Sequence, residues 1–201
     1  MKIICIGRNY VQHAKEMNAE VPSEPLFFLK PDTALLKENQ FYYPNFTSDL
    51  HYEVELVLKI TKHGKHIALE HAHHYFEKVG LGIDFTARDI QSICKAKGLP
   101  WEKAKAFDHS AILSQKFIDL SQFEDTIEFS LEKNGTMVQK GSTRHLLFSF
   151  EELISYISQF ITLKAGDLIY TGTPEGVGPV QRGDQLKGYI GDQQMFKIDI
   201  R

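Results

Sequence analysis

Apolar and polar residues alternate with a period of two from Tyr52 to Ile60. Tyr52, Val54, Leu56, Leu58 and Ile60 fall on one side, and Glu53, Glu55, Val57 and Lys59 on the other. This is the strongest strand signal in the chain. Val79 to Phe85 is an apolar run, broken only by Gly80, Gly82 and Asp84, and long enough for a buried strand. Lys2 to Ile6, Leu26 to Leu29 and Leu168 to Tyr170 read as further short strands. Ile127–Lys133 and Thr136–Lys140 flank Asn134-Gly135, a two-residue hairpin signal. Lys62 to Lys65 reads as a Gly-centred hairpin turn, and Asp32 to Asp49 as a long loop carrying short extended pieces.

Helical signals are fewer. Tyr10 to Met17 and Ala68 to Val79 read as helices. Thr86-Ala87-Arg88-Asp89 reads as a near capping box, opening a helix that runs through Gln91 and Cys94 and stops at Gly98-Leu99-Pro100. Ser149-Phe150-Glu151-Glu152 is a full capping box. The helix after it carries a stripe of Phe150, Leu153, Ile154, Ile157, Phe160 and Ile161, which predicts packing on a sheet.

Length and composition fit this strand-rich pattern with about four short helices. A chain of 201 residues predicts one domain over residues 1–201, with 42% apolar and 24% charged content typical of a soluble globular protein. A net charge of −3 without a Lys/Arg stripe predicts no nucleic-acid partner, and no apolar stretch is long enough to predict a membrane span or a signal peptide. Cys5 and Cys94 sit in apolar contexts and read as free buried thiols in a reducing cytoplasm.

Four groups of residues carry candidate chemistry. On a strand, Glu53 and Glu55 point the same way with Cα atoms roughly 6.5 Å apart. The pair reads either as a charged outer face or as two carboxylates converging on one cation. Asp84 favours the second reading, because an acid ending an apolar strand needs a partner. Three carboxylates without cysteine suit Mg²⁺ or Mn²⁺ better than zinc. His13 and Glu16 share a helix face, either as a surface pair or as a histidine oriented by a carboxylate for general-base work. Lys105 reads either as a solvated lysine or as a group that polarises a substrate carbonyl. His63, His66, His71, His73 and His74 lack zinc spacing and read as solvent-facing. Thr171-Gly172-Thr173-Pro174-Glu175-Gly176-Val177-Gly178-Pro179 is not a phosphate loop, but its amides and hydroxyls suit a small carboxylate.

Taken in order, several segments resemble the fumarylacetoacetate hydrolase family, most closely its short acylpyruvate hydrolase and oxaloacetate decarboxylase members. They are Gly7-Arg8-Asn9-Tyr10 with His13 and Glu16, Phe28-Leu29-Lys30-Pro31, His51-Tyr52-Glu53-Val54-Glu55-Leu56 and Asp84-Phe85-Thr86-Ala87-Arg88-Asp89. Lys97-Gly98-Leu99-Pro100-Trp101, Lys105 and Thr171-Gly172-Thr173-Pro174 follow. The resemblance implies an α+β fold, a mixed β-roll of layered sheets with a few short flanking helices, found as a homodimer. It implies that Glu53, Glu55 and Asp84 hold Mg²⁺, with Mn²⁺ or Ca²⁺ as alternatives. It further implies that His13 and Glu16 activate water, that Lys105 and Gln91 hold the substrate or its oxyanion, and that Arg8 and Thr173 lie near its carboxylate.

The expected reaction is cleavage of 2,4-dioxo acids (acylpyruvates, fumarylpyruvate) through a metal-stabilised pyruvate enolate, with oxaloacetate decarboxylation at the same site. Isomerisation, tautomerisation or decarboxylation of hydroxy-dienoic diacids is the alternative enzymatic reading. A non-catalytic metal-binding β protein is the reading outside enzymes, and a dyad beside a carboxylate triad argues against it.

Overall fold

A computed structural model describes residues 1–17 and 20–201. In chain order its strands are β1 (Ile3–Gly7), β2 (Leu26–Lys30), β3 (Gln40–Phe41), β4 (Leu50–Tyr52), β5 (Val54–Lys59), β6 (Lys78–Asp84), β7 (Thr86–Ala87) and β8 (Ala111–Leu113). They continue with β9 (Ile118–Asp119), β10 (Glu128–Lys133), β11 (Thr136–Ser142), β12 (Leu168–Tyr170), β13 (Gly178–Pro179), β14 (Gln185–Ile190) and β15 (Gln193–Ile200). The helices are α1 (Val11–Glu16), α2 (Arg88–Lys97), α3 (Glu102–Lys105) and α4 (Phe150–Phe160).

Three sheets form from these strands. A mixed seven-stranded sheet runs β2-β1-β12-β5-β6-β8, with β9 pairing β6. A five-stranded sheet runs β11-β10-β14-β15-β3, and a small third one runs β13-β4-β7. The main core lies where the first two sheets meet, with Leu56, Leu58 and Leu81 packed with Phe129, Leu131 and Leu186. At this contact Gly188 is required, since a Cβ there would lie 2.3 Å from Phe196 and 2.8 Å from Leu81. A second cluster of Ile3, Cys5, Val57, Leu168 and Tyr170 covers the other face of the seven-stranded sheet. The architecture is the α+β mixed β-roll that the resemblance implied, and the strand-rich sequence pattern is compatible with it.

Most predicted strands stand, including the hairpin. Asn134 and Gly135 adopt φ of 53° and 82°, the two left-handed residues that a two-residue turn needs. Both cysteines are free and buried. Several local expectations are corrected. The alternating run is not one strand: β4 ends at Tyr52, β5 begins at Val54, and the two belong to different sheets. Its charged side is not an outer face, because Glu53, Glu55 and Val57 are all buried. Lys62–Lys65 is no hairpin turn: residues 60–77 form a long excursion between the paired strands β5 and β6, and Gly64 bridges to Leu163. The Ala68–Val79 helix is a 3₁₀ segment over Leu69–Tyr75, and Val79 is already in β6.

Thr86 does not cap α2. It pairs with His51 in a strand, and Asp89 instead accepts from Thr47 Oγ1 (2.6 Å) and Ser48 N (3.1 Å), tying the 32–49 loop to the helix. The capping box of α4 is present, but its buried face is Leu153, Ile154, Ile157 and Ser158, while Phe160 is 55% exposed. That face joins the main core with the seven-stranded sheet, where the ring of Phe27 in β2 lies 5.9 Å from that of Phe160, and the helix also meets the 3₁₀ region. Ser158 accepts from Ile67 N through Oγ (2.8 Å) and from His66 N through its carbonyl (2.9 Å), so a polar residue is favoured there.

Candidate active site

The site forms where the chain changes sheets. Glu53 occupies the gap between β4 and β5, with Glu55 two residues on in β5. Strand β6 runs antiparallel to β5, and the N–H of its last residue, Asp84, donates to Glu53 O (2.8 Å). The three acids therefore meet at one end of the sheet. One carboxylate oxygen from each lies within 4.8 Å of the other two, and all three residues are buried. Among the described residues it is the one such grouping, and the histidine-rich segment forms none.

Cationic side chains surround the triad. Lys105 Nζ donates to Glu53 Oε2 and Asp84 Oδ2, both at 2.7 Å. Arg88 Nη2 donates to Glu53 Oε1 (2.6 Å), and Lys30 Nζ lies 2.7 Å from Asp84 Oδ1. The acids are not equivalent. Burial pushes Glu53 up, but Lys105 and Arg88 outweigh it and hold the carboxyl well below its ordinary range. Glu55 accepts from Gly172 N (2.7 Å), and burial together with Asp84 and Glu53 raises it well above the ordinary value. Burial pulls Lys105 down, yet Asp84 and Glu53 more than reverse this and keep it protonated. Because these groups interact strongly, their titration belongs to the cluster.

The residues fit a hard divalent cation. Three anionic oxygen donors converge without sulfur or nitrogen ligands. Asp84 Oδ1 is buried with no aligned hydrogen-bond donor, since the Lys30 ammonium beside it is directed at Ser110 Oγ (2.9 Å) and Ser110 O (3.0 Å). Glu55 is the acid without an ion pair of its own, and a cation would hold it ionised.

The other predicted residues gather at the same cavity. Arg8, His13, Gln91, Lys105 and Thr173 line it together with the triad. His13 Nδ1 lies 3.1 Å from Glu16 Oε2, which leaves Nε2 for proton transfer. Glu16 does not line the cavity; it supports His13 from behind, and its other oxygen accepts from Gly176 N (3.0 Å). Gln91 Oε1 accepts from Arg88 Nη1 (2.8 Å), leaving its NH₂ to donate. Arg8 has φ of 61°, a backbone strain that a non-glycine residue rarely carries. Asn9 beside it is fully buried and pins this loop by donating to Thr171 O (2.8 Å) and accepting from Phe148 N (2.9 Å). Gly172 (φ 104°) is required against it, because a Cβ would lie 2.6 Å from Asn9 Cβ.

Sequence reasoning missed three contributors. Lys30 and Arg88 stood inside recognised segments without a role, although a lysine ending the apolar run of β2 signals a buried partner. Gln139 carried no signal at all. Its Oε1 accepts from Val54 N (2.9 Å), between the two glutamates, and its Nε2 donates to Thr173 Oγ1 (2.9 Å) and Pro174 O (3.0 Å).

Residues 2–199 match the family model described as fumarylacetoacetate (FAA) hydrolase C-terminal. The mitochondrial oxaloacetate decarboxylase of Dictyostelium discoideum is 44% identical over 204 residues, covering 99% of this chain and 93% of that protein. An oxaloacetate tautomerase of Escherichia coli strain K12 is 43% identical over 189 residues, covering 92% and 86%. A fumarylpyruvate hydrolase of Pseudomonas aeruginosa, solved with Mn²⁺ and pyruvate, superposes with a TM-score of 0.93 at 38% identity, covering 100% and 89%.

Proposed function

The chain belongs to the fumarylacetoacetate hydrolase family, whose matched relatives are enzymes, and from that premise we propose that it is a divalent-metal enzyme of short 2-oxo acids with a second carbonyl at C4, namely oxaloacetate and acylpyruvates. The observation that carries this reading is the charge of the site. Three carboxylates face Lys30, Arg88 and Lys105, so the cluster is formally neutral. A dication would leave it at +2, the match for the doubly negative pyruvate enolate that acylpyruvate cleavage and oxaloacetate decarboxylation have in common.

Glu53, Glu55 and Asp84 would hold the cation, which supplies Lewis acidity to a 2-oxo carbonyl where negative charge develops. Arg8 and Thr173 would bind the carboxylate, and Lys105 and Gln91 would donate to the developing oxyanion. For acylpyruvates, His13 Nε2 takes a proton from water as the water oxygen bonds to C4. The C3–C4 bond then breaks, its electron pair passes into the 2-oxo group, and protonation at C3 yields pyruvate and a carboxylic acid. Glu16 holds the imidazole in the required tautomer. For oxaloacetate, the enolate arises by loss of CO₂ or of a C3 proton, and no water attack is needed. The names of the Dictyostelium and Escherichia coli relatives support this second use of the site.

The test is a panel of oxaloacetate, acetylpyruvate and fumarylpyruvate, followed by loss of enol absorbance with Mg²⁺ or Mn²⁺ and with chelator. Metal-dependent turnover of at least one is expected. Turnover unaffected by chelator, or none by a folded, metal-loaded protein, would overturn the proposal.

A further inference from the structure

The triad cavity is small, about 40 Å³, and liquid water occupies about 30 Å³ per molecule. It therefore has no room for a substrate tail. Beside it lies a larger groove of about 360 Å³. The two share Leu26, Phe28, Trp101 and Lys105 as a common wall. Edge strand β2 leaves Leu26 and Leu29 38% and 42% exposed at this groove, and Leu99 behind α2 is 48% exposed. Large apolar side chains from separate segments, left in water around one hollow, mark a binding surface. The Phe28 and Trp101 rings, 6.0 Å apart and tilted by 59°, form its inner side.

The charges of the lining decide what the groove accepts. Among its described lining residues the one cation is Lys105, whose ammonium is committed to Glu53 and Asp84. Glu102 supplies the one negative charge. A terminal carboxylate entering here would meet repulsion without a free cation in the lining.

We propose that this groove is the subsite for the acyl tail of the substrate, and that it selects uncharged alkyl or aryl acylpyruvates over those whose tail ends in a carboxylate. The inference rests on the 2-oxo acid reading above. Continuity with the triad cavity makes the tail its occupant rather than a second copy of the chain.

The test compares kcat/KM with Mn²⁺ for acetyl-, butanoyl-, hexanoyl-, benzoyl- and fumarylpyruvate. A buried methylene should raise kcat/KM by about fourfold until the groove is filled, and fumarylpyruvate should fall below benzoylpyruvate. Leu99→Asp should lower the hexanoyl-to-acetyl ratio at least tenfold. In parallel, binding of 2-oxooctanoate and pyruvate to the Mn²⁺-loaded protein is measured by calorimetry. A tenfold or greater preference for the octanoate, lost in Leu99→Asp, is expected whether or not any acylpyruvate is turned over. Acetylpyruvate turnover with no effect of tail length, equal binding of the two 2-oxo acids, or a Leu99→Asp effect confined to oligomeric state would overturn the subsite. Failure of every 2-oxo acid to bind or react would instead sink the reading of the triad.

Discussion

Replacing Glu55 by glutamine removes the acid that gains most from a cation and leaves its shape almost unchanged. The carboxamide oxygen still accepts from Gly172 N, so the loop contact survives. In the metal-free protein Glu55 faces Asp84 and Glu53, with ligand oxygens within 4.8 Å. Two unit charges at that separation repel by about 3.5 kcal/mol at an effective dielectric of about 20. Lys105 cancels part of this, so a net relief of about 1–3 kcal/mol is expected, raising Tm by about 2–12 °C for a chain of this size. The pH dependence has a fixed sign. Because the folded value of Glu55 is raised, the native protein binds an extra proton between the unfolded and folded values. Metal-free stability therefore falls as pH climbs through that window. The Glu55→Gln variant escapes the loss, so its advantage widens toward alkaline pH. Adding Mn²⁺ should reverse the order. Saturation at a hundred times Kd contributes about 2.7 kcal/mol to the natural protein, and the variant should gain little. Thermal melts in chelator and in Mn²⁺, each between pH 5 and 8, decide the matter. A variant less stable than the natural protein in chelator at pH 8, or equally stabilised by Mn²⁺, would refute this account of the triad.

Three further outcomes are expected. His13→Ala should reduce acylpyruvate cleavage by about 10²–10⁴-fold and oxaloacetate turnover far less; equal losses in steady-state assays would count against the assigned role. Gln139→Leu leaves Val54 N–H and Pro174 O without their buried partner, so denaturant titration should show a loss of about 2–4 kcal/mol, with weaker Mn²⁺ binding by calorimetry. Burial alone would raise Asp167, but hydrogen bonds from Lys2 and Lys164 outweigh it and hold the group below its ordinary value. Its contribution is therefore present above the unfolded value of about 3.9 and lost as pH falls through the folded one. Asp167→Asn should lower stability at pH 7 and flatten the acid slope of Tm below about pH 4; an unchanged slope would contradict this.

The periodicity located the strands because each signal is local: side chains two apart share a side, and Asn-Gly marks a turn wherever it stands. It could not say what covers a strand. Val57 looked outward, but Ala34, Leu35 and Phe117 pack against it and Tyr170 on that side of the seven-stranded sheet. Nor could it see the break at Glu53, since both halves keep the same alternation while pairing with different sheets. The acidic triad was legible because its members carry costly charges in apolar segments. Gln139 was not, because an amide in a polar hairpin strand looks ordinary and its partner Val54 is 85 residues away. The 3₁₀ segment was misread as a helix because apolar spacing there reflects contacts with α4 rather than an i,i+4 ladder.

The hairpin β10–β11 pairs with one register up to Leu131 and another from Glu132, across a bulge. A slip by one residue would turn Gln139 away from the layer beneath and release Val54 and Thr173 together. A structural irregularity far along the chain thus acts as a gauge block for the glutamate pair. Lengthening the Asn134-Gly135 loop by a residue is therefore a mutation of the acidic triad, made at the tip of a hairpin.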